Sequence, residues 1–468
     1  MKVLLISTNR EMLPDPVAPL GAAYVAGALI KAGHEVRLLD LQFAPDITVA
    51  VRDACINFRP RVAGLSIRNV DNVAFPHSVS YLPDVVAVVK ALRARSVRLI
   101  VAGGSGFTIM PRELMDALGL GLGIVGEGED AFPELLRRVE ANLPVNKIPG
   151  LAYRYKGIVK VNPPVPVVSL GKSAAPERGM IDNAAYMAEG GSGNLQTKRG
   201  CRFGCCYCTY PIVEGNNVRL RDPATCAEEF VRGVNEHGIR HYFIVDNVFN
   251  YPVAHAKRFC RELIKRGAPA GWSCYVNPSH MDAELAGLML RSGCRGVEFG
   301  TDSAVDTVLG RLGKGFRGRD VARASKICSD AGLRFCHSLM LGSPGETIDT
   351  LSHTLDVMDA LGPNAVIAML GIRVFPGTRL EKMADEEGVI TAGSIGLEPR
   401  FYFSPALDME KAADRLSEFG KSHTNFIMPG LHLRMTDKIR KTLRSYGFIG
   451  PLWEYLKAEG HRTVKADA

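Results

Sequence analysis

No stretch of the 468-residue sequence approaches the ~20 consecutive apolar residues that a membrane-spanning helix needs, so no span is expected. A targeting segment is missing too. Met1-Lys2 runs straight into the strand-like Val3-Leu4-Leu5-Ile6 and then into polar Ser7-Thr8-Asn9-Arg10, which makes a cytoplasmic location the default expectation. Cysteine is absent before Cys55 and after Cys336. The eleven in between are odd in number and belong to no small secreted scaffold, which argues against a disulfide framework and for a reducing compartment. Charge of one sign is not in large excess either. The net charge is a modest +8, and no nucleic-acid partner is expected. From Lys421 onward nine Lys or Arg stand against four Asp or Glu. An anionic substrate or partner would suit that tail, but Ile439, Leu443 and Tyr446 recur at helical spacing beneath Lys438, Arg440, Lys441 and Arg444. A solvated helix face is therefore preferred.

What is present is ordinary for a globular protein, 46% hydrophobic and 23% charged residues, in a chain long enough for two or three domains. One stretch is not ordinary: Cys201-Arg202-Phe203-Gly204-Cys205-Cys206-Tyr207-Cys208. Cys201, Cys205 and Cys208 are spaced so that one short loop can bring three thiolates to one metal centre. Three thiolates fill only three corners of a [4Fe-4S] cubane, whereas clusters that only transfer electrons are usually held by four. The bland alternatives are a zinc knuckle and a set of buried structural cysteines. Structural zinc wants four ligands, commonly as two close pairs, and no second pair follows Cys208 at suitable spacing. Cys206 is assigned to packing. The loop, with its aromatic Tyr207 before the last cysteine, resembles the cluster loop of the radical S-adenosylmethionine (SAM) superfamily, whose open iron chelates SAM. With no cysteine after Cys336, a single cluster is expected.

Residues 1–140 alternate short strands and helices: strands at 2–7, 35–39, 62–67, 97–102 and 122–125, helices at 20–32, 84–95, 111–118 and 129–142. This pattern makes a doubly wound, Rossmann-like parallel sheet with ligands at the carboxyl ends of its strands. Gly121-Leu122-Gly123-Ile124-Val125-Gly126 matches G-x-G-x-x-G, but it falls on a late strand, so a dinucleotide site is rejected. The loops resemble the cobalamin-binding domain that precedes many radical SAM domains: Ser66, Arg68 and Asn69 after the third strand, Gly103 and Gly104 after the fourth, and Gly126-Glu127-Gly128-Glu129. The resemblance implies that Ser66 bonds the buried nucleotide tail and that the glycines let backbone approach it. The family's D-x-H-x-x-G loop is missing here. Asn9 to Pro19 contains no histidine, so cobalt should lack that ligand, and Arg68 or Asn69 is expected on the lower corrin face. A salt bridge at the strand end is the alternative for Arg68, and a flavodoxin-like fold binding another nucleotide is the alternative for the domain.

Residues 141–190 read as a hairpin around Gly157 followed by a Pro-rich linker. Strand and helix alternation then resumes six times over residues 191–385, with strands at 194–198, 241–245, 272–276, 296–299, 334–341 and 365–374. This is the partial (β/α)6 barrel implied by the radical SAM resemblance, its site at the strand carboxyl ends. The same resemblance assigns SAM contacts to Tyr207, Asp246, Asn247, Glu298, Ser303 and Arg373, although the usual Gly-Gly-Glu after the second strand is absent. The turn Gly342-Ser343-Pro344-Gly345-Glu346-Thr347 is assigned to the adenine side. Residues 386–468, mainly helical, are expected to cap the barrel mouth.

The chain is thus expected to be α/β and to use a [4Fe-4S] cluster, SAM and cobalamin, with an external electron donor such as flavodoxin or ferredoxin. Methyl transfer to an unactivated carbon or phosphorus of a small molecule, through a 5'-deoxyadenosyl radical and methylcobalamin, is the leading expectation. A non-methylating cyclase or ring-rearranging enzyme is the alternative, and a cobalamin-binding sensor or electron-transfer protein is a rival of another class. No protein acid or base is required for hydrogen abstraction, because that chemistry belongs to the cofactors.

Overall fold

The computed structural model describes residues 1–171, 174–391, 393–431, 433–434 and 436–456. Its first sheet is built from β1 (Lys2–Ser7), β2 (Glu35–Asp40), β3 (Val62–Ser66), β4 (Leu99–Gly103) and β5 (Leu122–Ile124), all parallel, in the order β2-β1-β3-β4-β5. The hairpin β6 (Leu151–Tyr155) and β7 (Ile158–Val161) extends this sheet, Leu122 pairing antiparallel with Tyr153. The hairpin assigned to the connection is therefore the edge of the first sheet.

Two helices here escaped the periodicity. Ile47–Phe58 is started by Asp46, whose carboxylate accepts the Val49 N–H, a helix start that Asp commonly makes. Ser105–Ile109 is one short turn after Gly104, and Gly104, at φ +96, lies against the backbone of Ile67 where a side chain would collide. Apolar residues on both faces of the strands, such as Leu4 and Ile6 on one and Val3 and Leu5 on the other, bury the sheet between two helical layers.

The second sheet comprises β8 (Gly193–Leu195), β11 (His241–Ile244), β12 (Gly271–Val276), β13 (Cys294–Asp302), β14 (Arg334–Leu341) and β15 (Ala365–Leu370), six parallel strands in that order. Between the first two, β9 (Lys198–Arg199) and β10 (Arg219–Leu220) form a two-stranded ribbon around the cysteine loop. β16 (Ile372–Arg373) pairs with β17 (Phe401–Tyr402), and a seventh strand, β18 (Phe426–Ile427), joins β15 at the sheet edge. Trp272, Cys274, Val297, Phe299 and Phe335 pack outward under the helices. By strand alternation Tyr275, Glu298 and Cys336, which are register partners on β12, β13 and β14, face the inside.

The carboxy-terminal region departs from expectation in two ways. Phe403 does pack at the carboxyl ends, against Gly342 and Gly371, but Gly450 to Leu456 closes the opposite end of the barrel. There Arg334 and Asn364 donate to the carbonyls of Glu454 and Leu456, and the Trp453 ring lies where a side chain at Gly296 would stand. The helix Asp437–Ser445 is inverted relative to the solvated-face reading. Arg440 and Arg444 are buried, while Ile439 and Tyr446 are 41% and 77% exposed. The buried guanidinium groups have polar partners: Arg444 binds Asp15 at 2.6 Å and the carbonyls of Gly190 and Gly450 at 2.9 Å through its terminal nitrogens, leaving Nε without a partner, and Arg440 reaches the backbone of Glu189 and the Asp437 carboxylate. The rest of the basic tail, 457–468, lies outside the described residues.

Candidate functional site

The cysteine loop follows β8 and β9 at the carboxyl end of the second sheet. Its conformation is fixed by backbone bonds: Cys201 N–H to Gly215 O (3.1 Å), Cys208 N–H to Cys205 O (3.2 Å), and Cys206 N–H to Leu312 O (2.8 Å). Cys206 is buried among Val308, Leu312, Ile372, Val374 and Leu380. Of the other three thiols, Cys205 acts electrostatically on both Cys201 and Cys208, and Cys201 acts on Cys208. Among the described residues no group of three His, Cys, Asp or Glu side chains converges on a single-ion site. The donor set of this loop is three thiols, which fits three corners of a [4Fe-4S] cluster. Burial raises all three thiol pKa values, that of Cys208 to about 12, and Lys314 opposes the rise in each.

The two sheets meet with these ends facing each other. Ser105–Ile109 packs on the helix Tyr210–Glu214 that follows the cysteine loop. Buried ion pairs hold the halves together: Asp71 with Arg373 (3.0 Å), Glu129 with Arg199 (2.6 Å), Glu127 with Arg219 (2.7 Å) and Asp15 with Arg444 (2.6 Å). Two tyrosines stay uncovered at this junction. Tyr210 and Tyr275 are 46% and 43% exposed although both face inward, and Tyr275 is held far above its usual range, first by the charge of Glu298, then by burial. The Arg68 guanidinium lies at the same junction, where its charge acts on Tyr186, Tyr210 and Tyr275. Its backbone is clasped by Ser105 Oγ (2.8 Å), and the Asn69 amide spans Arg68 O (3.2 Å) and Nη1 (3.1 Å).

A model described as the B12 binding domain matches residues 9–136, and one described as the radical SAM superfamily matches residues 195–358. The chain belongs to the cobalamin-dependent radical SAM proteins. Tryptophan 2-C-methyltransferase of Streptomyces laurentii is 28% identical to it, covering 82% of this chain and 74% of that one. Cytidylyl-2-hydroxyethylphosphonate methyltransferase of Streptomyces wedmorensis is 26% identical, covering 77% of each. Among solved structures, the radical SAM methyltransferase TsrM of Kitasatospora setae, with tryptophan substrate and a SAM analog bound, superposes with a TM-score of 0.84 at 25% identity, covering 97% of this chain and 96% of that one.

In the radical SAM domain the residues assigned to SAM separate into different tasks. Asp246 is fully engaged, accepting from the Thr197 N–H (2.6 Å) and hydroxyl and from the Lys198 N–H (3.2 Å), with the Lys198 ammonium 3.5 Å away. It fastens the base of the cysteine loop and has no free oxygen for a ligand. Ser303 is sealed against Thr354 (3.2 Å), and Arg373 is the clamp on Asp71. Glu298 stands mid-strand rather than at a strand end. One oxygen accepts the Trp453 indole N–H (2.8 Å), and burial lifts the carboxyl to about 7. An anionic SAM carboxylate has no reason to approach it. Two of the assigned residues stay at the cysteine loop. The Tyr207 hydroxyl donates to Asp302 (2.6 Å), and the Asn247 amide donates to Glu214 (2.8 Å) while leaving its own oxygen buried without a partner. Glu346 does not open the next helix; it accepts the N–H groups of Gly342 and Ser343 in its own turn, and Thr347 is the cap.

In the cobalamin-binding domain Ser66 is half-buried at the end of β3 with no hydrogen bond to its hydroxyl among the described residues. Gly103 ends β4, and the Gly126 N–H donates to Thr108 Oγ1 (2.9 Å). Glu127 and Glu129, part of the loop that resembles the family, are spent on the domain interface. Sequence reasoning missed Lys314, whose ammonium lies 2.8 Å from Asp302 beside the cysteine loop. Its signal was the flanking Gly313 and Gly315, both at positive φ, which mark a turn made to place one side chain.

Proposed function

We propose that this chain is a methyltransferase acting on an unactivated carbon or phosphorus centre of a small molecule. The observation that carries the reading is the meeting of two strand-end regions: Ser105–Ile109 of the first half packs on the helix Tyr210–Glu214 that follows the three-thiol loop, in a chain two of whose relatives are named as methyltransferases. When bound, the cluster and SAM supply a 5'-deoxyadenosyl radical, and cobalamin carries the methyl group. The chain's own residues do the rest. Cys201, Cys205 and Cys208 would hold the cluster with one iron open. Asn247 Oδ1, a buried acceptor without a partner, fits an ammonium group such as that of SAM, and Tyr207 is fixed by Asp302 to line that side. The free Ser66 hydroxyl, with Gly103, Gly104 and Gly126 near it, fits a nucleotide tail. The loop Asn9 to Pro19 brings no histidine, so cobalamin held there would have Arg68, bonded to Asn69, as a neighbouring cation and no histidine from that loop. Ion pairs between the domains hold the two halves together around the three-thiol loop.

Reduction of the cluster would use an external carrier such as flavodoxin or ferredoxin. All eleven cysteines are free thiols, which supports a reducing, cytoplasmic setting. The experiment is an anaerobic incubation of reconstituted protein with SAM and a chemical reductant as electron source, with and without cobalamin. Cobalamin-dependent release of S-adenosylhomocysteine is expected. Production of 5'-deoxyadenosine alone, with no cobalamin-dependent S-adenosylhomocysteine, would replace methyl transfer with a cyclase or rearrangement.

A further inference from the structure

Lys314 is a cation buried directly against the cysteine loop. The turn that carries it is pressed onto that loop: a side chain at Gly313 would stand 2.5 Å from Gly204 O. The Lys314 ammonium lies 2.8 Å from Asp302 Oδ2 and 3.5 Å from the Tyr207 hydroxyl, and Tyr207 donates to the same Asp302 oxygen at 2.6 Å. The Lys314 and Asp302 side chains are 7% and 3% exposed. Asp302 is held at φ +64, a conformation that non-glycine residues seldom adopt, where β13 slips register against β14. The strained backbone and the desolvated pair converge on one point behind the thiols. Lys314 acts on all three of them, and Asp302 acts on Cys205.

We propose that Lys314 and Asp302 are positioning residues that set the reduction potential of the cluster held by Cys201, Cys205 and Cys208, Lys314 raising it and Asp302 offsetting the rise. The inference rests on the reading of that loop as a cluster site. Taking up one electron, [4Fe-4S]2+ becomes [4Fe-4S]1+, so negative charge is added beside the thiolates. A fixed cation stabilises the reduced form more than the oxidised one, and a fixed anion does the reverse. Water and salt screen surface charges from such a centre but screen a buried pair much less.

The test is a potentiometric titration followed by EPR, without SAM, on anaerobically reconstituted protein, with dithionite as electron source and mediators to equilibrate it. Lys314→Met should lower the midpoint potential, Asp302→Asn should raise it, and Lys314→Arg should leave it near wild type. Opposite signs are the signature, because an ion pair that merely braced the loop would move both variants the same way or not at all, and either of those results overturns the proposal. If Lys314→Met takes up no cluster, Asp302→Asn decides: a potential unchanged or lowered there overturns it. A wild-type protein that binds no cluster under dithionite contradicts the reading of the loop itself.

Discussion

Glu454 and Glu298 hold their carboxyls where water cannot solvate a charge, and burial raises them to about 8 and about 7. His241, whose Nε2 is 3.8 Å from Glu454, gives no compensation, since burial and nearby arginines hold it neutral down to about 3. The sign follows from the proton count. An acid raised above its ordinary 4.5 binds its proton more tightly when folded, so its contribution is fully present below that value and is lost as pH rises through about 8. Glu454→Gln keeps an acceptor for Ser273 and removes the titration. Wild type should therefore lose thermal stability relative to this variant between about pH 5 and about pH 8. A constant gap across that range would refute the assignment. At the same scale Cys201→Ala should lose the iron, whereas Cys206→Ser should keep it and cost about 1 kcal/mol for a hydroxyl placed in a largely apolar cluster beside Arg379. Iron content and denaturant titration measure the two. The cluster cysteines were legible because their arrangement is local to eight residues. For Asp246 and Ser303 sequence could not say more, because an acid and a hydroxyl at strand ends look alike whether they face a ligand or bond a neighbouring backbone or threonine, as these two do.

At the scale of elements, the strands announced themselves through apolar runs bounded by turn residues, and nearly all of them stand where expected. The helix Asp437–Ser445 shows what periodicity leaves out. Arg440 and Arg444 occupy one face and Ile439 and Tyr446 another, and hydropathy alone turns the apolar face inward. Tertiary partners decide otherwise, because Asp15, Glu189 and four backbone carbonyls of Glu189, Gly190, Phe448 and Gly450 accept from the terminal guanidinium nitrogens. The clamp between Asp71 and Arg373 was equally invisible, its members being 302 positions apart in the chain. Both side chains are almost wholly buried, so Asp71→Ala, which strands the guanidinium, should destabilise by about 3–5 kcal/mol. The double variant with Arg373→Met should recover much of that loss. Denaturant unfolding of the three proteins checks it, and a single variant no less stable than the double one would contradict it.

At the scale of the molecule, the design is two parallel sheets turned carboxyl end to carboxyl end, closed below the second by Trp453 and braced at the rim by ion pairs. Each sheet alone offers the usual ligand site of an α/β fold; facing each other, they bring the two together. Both halves could be read from loop sequences, because each loop sits at a strand end fixed by its own pattern. The amino-end closure could not, since it depends on a segment 92 to 181 residues along the chain from the residues it bonds. The most direct measurement is the iron, sulfide, zinc and corrinoid content of protein purified anaerobically from cobalamin-supplied cells, beside the Cys201→Ala, Cys205→Ala, Cys208→Ala variant. About four irons and one corrinoid per chain, with only the iron lost in the variant, is the predicted result. Zinc in place of iron, or iron without corrinoid, would contradict it.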